Sequence, residues 1–335
     1  MKRRDCLALM GASSLLLAGC AGVPAATGTG DLGVVVARST GTLAIVNTSQ
    51  RKLLAEVKGL GDLSHASVVF SRDGRYAYVF GRDGGLTQVD ILAQRITARV
   101  MQAGNSIGGA ISADGRLVVA QNYTPGGIKA FDTTTLELVA DIPAEYENGK
   151  LSRVVGLVDL PGRRFAYSLF DANAIWITDL SNPARPVTTK LPNIGKQPYD
   201  ALVTPNGRHY IAGLFGEDGL AMVDLWEDKP TVRRILGGYG RGQEPLPVYK
   251  MPVVDTDTWQ EVGRIPVAGQ PVFVMARPDG RQVWVNFSVP DYHRVQVIDT
   301  TTQQIVRTLE PGKAVLHMEF TPRGESVWIS SRDAH

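Results

Sequence analysis

The chain has 335 residues, 44% of them hydrophobic, and carries 35 Lys and Arg against 33 Asp and Glu. That composition supports a large buried core, and the near-balance of charge excludes the basic stripe of a nucleic-acid binder. Both cysteines, Cys6 and Cys20, fall within the first 20 residues, which excludes thiol catalysis and a disulfide framework from the rest of the chain.

Residues 1–19 read as a signal peptide. Lys2, Arg3 and Arg4 form a basic start, and the apolar stretch from Leu7 to Leu17 is far shorter than the ~20 residues of a spanning helix. Leu17-Ala18-Gly19-Cys20 resembles a bacterial lipobox, which implies that Cys20 is diacylated and becomes the mature N-terminus. Ala21 after it implies sorting to the outer membrane. The expected product is a periplasmic, lipid-anchored protein with a flexible tether at 20–32 and one folded domain at 33–335. Without the signal, 32 charges of each sign remain.

Along that domain six short turns recur: Asp73-Gly74-Arg75, Asp114-Gly115-Arg116, Pro161-Gly162-Arg163, Asn206-Gly207-Arg208, Asp279-Gly280-Arg281 and Arg323-Gly324-Glu325. Their glycines are 41, 47, 45, 73 and 44 residues apart. Repetition at this period marks a β-propeller, with one four-stranded unit per repeat. In the first full unit, His65–Phe70 is strand A, the turn closes a hairpin, and Tyr76–Phe80 is strand B. Leu86–Asp90 and Ile96–Val100 follow as C and D.

A second marker keeps the same register. Strand C ends in an apolar residue followed by Asp or Asn, at Asn47, Asp90, Asp132, Asp179, Asp224, Asp255 and Asp299. The spacing drops to 31 between Asp224 and Asp255, where the unit lacks its own glycine turn and has lost its A–B hairpin. The first unit starts at strand B, and the last stops after B. The expected fold is all-β: an eight-bladed propeller of four-stranded antiparallel blades, with one blade and the C-terminal closure incomplete.

The start of A and the end of B share one rim, because A and B form a hairpin. Nine residues before the glycines stand His65, Ser106, Arg153, Pro198, Pro271 and Val315; eight after stand Arg82, Tyr123, Phe170, Phe215, Ser288 and Arg332. His317 has the pleat parity of the first set. His65, Arg82, Arg153 and His317 are therefore expected at one mouth of the central channel, with Tyr199 and Asp200 nearby. Imidazole, guanidinium forks and aromatic rings suit a flat iron-bearing ring with carboxylate arms. Asp159, after Gly156-Leu157-Val158, is expected in an apolar setting where a carboxyl could move protons. Each residue also has a plain structural reading: a satisfied core histidine, a solvated arginine, a hydrogen-bonded channel aspartate, a capping Asp200.

The segments Leu63-Ser64-His65, Ser71-Arg72-Asp73-Gly74-Arg75-Tyr76 and Gly81-Arg82-Asp83-Gly84 resemble the haem d1 propeller of the dihaem nitrite reductase. A fuller resemblance, covering nearly the whole chain after the signal, is to the NirF family of periplasmic haem d1 biosynthesis proteins. It includes Leu246-Pro247-Val248-Tyr249-Lys250-Met251-Pro252 and Val315-Leu316-His317-Met318-Glu319-Phe320-Thr321-Pro322. The resemblance implies a protein that binds haem d1 or a late precursor, dihydrohaem d1, and takes part in its maturation for nitrite reductase. It implies His65 as axial ligand to the tetrapyrrole iron, and Arg82 and Arg153 on the carboxylates. The place of the reductase's distal histidine is taken by Tyr199. The implied partners are the precursor, nitrite reductase, other haem d1 maturation proteins and the outer membrane. Three readings stay open: a maturase with Asp159 or His317 as proton carrier, a carrier that hands the tetrapyrrole on unchanged, and a haem-free propeller that recognises proteins.

Overall fold

A computed structural model describes residues 29–238, 249–290 and 292–333. The expected signal peptide, Cys20 and the tether up to residue 28 lie outside the described residues. The expected tether boundary at 32 shifts inward, because Thr29–Asp31 already forms a 3-10 turn. Its Asp31 carbonyl accepts from Thr48 N at 2.8 Å, and its carboxylate accepts from the Ser49 hydroxyl at 2.6 Å.

The repeated turns work as their sequence requires. All six glycines sit at positive φ, between 69° and 76°, where a Cβ is costly. The acid or amide before four of them accepts the backbone N–H two residues on, as Asp73 does from Arg75 at 3.1 Å and Asn206 from Arg208 at 3.0 Å. The strand-C markers do the same job at the next corner. Asp132 accepts from Thr134 N, Asp224 from Trp226 N and Asp299 from Thr301 N, at 2.8–3.0 Å. The start of B pairs with the end of C (Tyr76 with Asp90, His209 with Asp224), so both turn sets lie at the same end of every sheet. This end is the turn face. The opposite end, where A starts and B ends, is the mouth.

Six blades result, not the eight expected. Blade 1 has three strands, Leu32–Ala37, Thr42–Asn47 and Lys52–Val57, and lacks strand A as the sequence indicates. Blades 2 to 5 have four strands each, starting at Ser67–Phe70, Asn105–Ile111, Val154–Leu160 and Pro198–Val203, and blade 6 starts at Pro271–Ala276. Among the described residues the shortened unit forms a two-stranded hairpin, Tyr249–Val254 with Glu261–Val267, and the last unit forms Val315–Phe320 with Val327–Ser331. Two strands bury too little to stand as a blade, so each hairpin leans on a neighbour. Trp259 packs on Met222 and Ile235 of blade 5, Ile265 and Val267 on Val285 and Phe287 of blade 6, and Val315 and Met318 on Val295. Similar clusters of buried Leu, Ile, Val and Phe join blades 1 to 5 in chain order. A further small hairpin, Glu145–Glu147 with Lys150–Leu151, stands between blades 3 and 4 on the mouth side and is not signalled by the repeat.

The innermost strands share one irregularity. Register shifts interrupt the A strands between Ser106 and Gly108, Val155 and Val158, Pro198 and Ala201, Pro271 and Val274, and Val315 and His317. Each is a bulge that releases residues from the ladder and re-aims them.

Candidate functional site

The bulges of blades 3, 4 and 5 point into one cavity of about 250 Å³ in the bore. Its lining includes Ile107, Gly156, Leu157, Tyr199 and Asp200 from those bulges, with His65 of blade 2. Gly156 permits the approach of blades 4 and 5: at φ +59° a Cβ there would lie 2.6 Å from the Tyr199 carbonyl. The Tyr210 hydroxyl donates to the Gly156 carbonyl at 2.8 Å and fixes the bulge from behind.

His65, the expected metal ligand, stands at this opening just before strand A of blade 2. Burial holds its imidazole below the usual range, Arg38 and Arg82 add to this, and Asp200 works against it. The ring is therefore neutral, the form in which imidazole ligates a metal. Arg82 lies close enough to His65 to act on its charge, and its backbone N–H donates to the Asp62 carbonyl at 2.8 Å. Arg38 and Arg82 are both exposed, and neither is ion-paired among the described residues. Asp200 is open to the channel, yet the protein around it holds its carboxyl above the ordinary value, with His65 pulling the other way.

Beside the cavity lies an aromatic shelf. The hydroxyls of Tyr199 and Tyr123 are 2.9 Å apart. Tyr199, Phe170 and Phe215 meet pairwise with ring centroids 5.7–6.0 Å apart, and Phe215 is half exposed. The Arg153 guanidinium lies 4.3 Å from the Phe170 centroid and 6.0 Å from that of Tyr123. Its fork is already occupied: Nε and Nη2 donate to the two oxygens of Asp171 at 3.0 and 2.5 Å. Arg153 therefore belongs to the mouth, but as part of an ion-paired shelf and not as the free carboxylate clamp expected. A separate cavity, of about 400 Å³, is lined by Phe170, Asp171 and Lys196 among others.

The two expected proton carriers are elsewhere. Asp159 lies at the turn-face end of its strand, paired with Phe165 beside the Gly162 turn. It is 39% exposed and accepts from Arg72 Nη2 at 3.0 Å, so it is neither apolar in setting nor near the mouth. His317 fails for a different reason. The bulge between Val315 and His317 breaks the alternation on which its parity rested. Its ring packs edge-on against Phe273, 5.1 Å between centroids, with Glu319 3.8 Å from Nε2, and no contact joins it to the His65 group among the described residues. Conversely, Ser67 and Gln121 line the cavity and carry no sequence signal, since they occupy ordinary strand positions.

The scaffold is thus a bladed all-β propeller that brings one imidazole, two guanidinium groups without an ion pair among the described residues, and stacked aromatics to a single opening. The chain belongs to the cytochrome D1 heme domain family, matching it over residues 27–255 and 252–335. Within it, the chain is similar to Protein NirF of Stutzerimonas stutzeri, 58% identical over 343 residues that take in 95% of this chain and 88% of that protein. It is more distantly similar to the dihydro-heme d1 dehydrogenase of Pseudomonas aeruginosa, 29% identical over 79% of this chain and 58% of that protein. The solved structure of dihydro-heme d1 dehydrogenase NirN in complex with DHE superposes with a TM-score of 0.78 at 25% identity, covering 91% of this chain and 69% of that one.

Proposed function

We propose that this protein binds a late haem d1 precursor, a dihydrohaem d1-like tetrapyrrole, at the mouth of its channel and serves haem d1 maturation for nitrite reductase. The observation that carries this reading is the meeting of His65, Arg82 and Arg38 at one opening, beside the shelf of Tyr199, Phe170 and Phe215. His65 offers a neutral nitrogen to the tetrapyrrole iron, the free guanidinium groups receive carboxylate arms, and the shelf flanks the ring. The protein works in the periplasm, held to the outer membrane through Cys20, where it meets nitrite reductase and other maturation proteins. The NirF relatives and the NirN neighbour support this reading.

A carrier role, without chemistry, is favoured over a maturase by one finding. Asp159 and His317, the residues expected to move protons, do not join the His65 group. Titration of the protein with the haem d1 precursor tests the whole reading: a shifted Soret band is expected, and an unchanged band removes it. His65→Ala is expected to alter the iron spectrum of the bound ligand, and an identical spectrum would remove His65 as ligand. Asp159→Ala and His317→Ala are expected to support nitrite respiration in a deletion strain; loss of growth with normal binding would restore the maturase.

A further inference from the structure

The bore beneath His65 is polar in an unusual way, because its hydrogen-bonding groups are uncommitted. Ser67 Oγ is one of two buried side-chain polar atoms among the described residues that lack a hydrogen-bond partner. Gln121 is 8% exposed; its Oε1 accepts from Leu157 N at 3.0 Å, which leaves both Nε2 hydrogens without a protein acceptor. A Cβ on Gly108 would stand 3.1 Å from both Ser67 Oγ and Gln121 Nε2. Gly108 is not at positive φ, so the missing side chain serves space and not backbone conformation. Gly108 thus leaves both donors against the same stretch of the cavity lining.

Size and charge narrow the occupant. The cavity of about 250 Å³ equals about eight liquid waters at ~30 Å³ each. It falls short of the ~300 Å³ at which pockets begin to hold whole ligands. An ionised carboxylate entering it would face Asp200 in the same lining, whereas the unpaired guanidinium groups of Arg38 and Arg82 stand near His65 at the rim.

We propose that this cavity is a carbonyl well: it takes one uncharged, oxygen-bearing arm of the tetrapyrrole, with Gln121 Nε2 and Ser67 Oγ donating to the oxygen, while carboxylate arms remain at the rim. The inference rests on the tetrapyrrole reading above and adds selectivity to it. A ring bearing such a carbonyl would be chosen by it and merely held by its acids.

The test compares two probes on the full-length protein: protohaem, whose polar arms are carboxylates, and an iron chlorin bearing a ring ketone and the same number of carboxylates. The ketone-bearing ring is expected to bind about tenfold tighter, as two added hydrogen bonds allow. Ser67→Ala, which removes one oxygen, should cut that preference about threefold. Gln121→Glu, which keeps the acceptor for Leu157 N but removes both donors, should abolish it. Equal affinities in the wild type, or a preference that survives both substitutions, would overturn the well. Should Gln121→Glu fail to fold, the Ser67→Ala ratio alone decides. If neither probe binds, the tetrapyrrole reading itself falls and takes the well with it; if both bind equally, only the well is lost.

Discussion

The two ends of the channel are built from the same strands and differ in how their polar groups are spent. At the turn face the charges that bridge blades are committed. Arg72 donates to Ile111 O, Ser112 O and Asp159 at 2.8–3.0 Å, tying blades 2, 3 and 4 together. Arg163 donates to Asp114 at 2.7 Å across blades 4 and 3. At the mouth Arg153 is paired with Asp171, but among the described residues Arg38, Arg82, Asp200, Ser67 Oγ and Gln121 Nε2 have no such partners. Paired groups hold the blades in register; unpaired ones in a concave site await a ligand.

That contrast predicts a double dissociation. The largest effect belongs to the mouth: His65→Ala should weaken binding of an iron tetrapyrrole by about a hundredfold, the upper end of metal-site losses, with Tm unchanged. A parallel fall in Tm would make His65 structural and blur the distinction between the ends. Next comes Arg72→Met, which strips four charge-assisted hydrogen bonds from a half-exposed guanidinium. Denaturant unfolding should show a loss of about 1–2 kcal/mol, with tetrapyrrole affinity untouched; an affinity loss would mean that the turn face is coupled to the site.

Asp159→Asn should matter less. The pair with Arg72 is well exposed on both sides, and such pairs contribute less than ~1 kcal/mol. A larger loss would show that the pair closes the channel floor in earnest. The smallest effect is acid-dependent. Burial disfavours ionised Asp114, but the Ser112 hydroxyl, Arg163 and the Arg116 N–H outweigh it and hold the carboxyl at about 2, below the ordinary 3.8. A depressed folded pKa contributes stability above 3.8 that is lost as pH falls through about 2. Asp114→Asn should therefore flatten the stability profile between those values and leave it parallel at neutral pH. An unaltered slope would show that Asp114 is not the group responsible.

The turns were legible in the sequence because their chemistry is local. A glycine at positive φ and an Asp or Asn two residues from the N–H it accepts can each be read from a handful of neighbours. Blade 1 without its A strand, and the hairpin lost near Val253, followed from the same spacing. The blade count was not legible, since a two-stranded hairpin and a four-stranded sheet show the same corner residues. The placing of residues at strand ends was legible, as with His65 at the cavity. It was misread where it depends on strand interiors. Periodicity of two assumes an unbroken pleat, and the bulge at Val315–His317 voids it. Apolar neighbours of Asp159 say nothing about which end of the strand it occupies. The loss of Arg153's fork to Asp171 needs the fold, because strand A of blade 4 meets that carboxylate only across a hairpin.

The interrupted A strands carry a consequence for how such a protein can change. Residues such as Tyr199 and Asp200 contribute nothing to the ladder that joins blade 5 together, so exchanging them leaves the sheet's own cohesion intact. The bore positions can therefore vary by substitution while the scaffold stays constant.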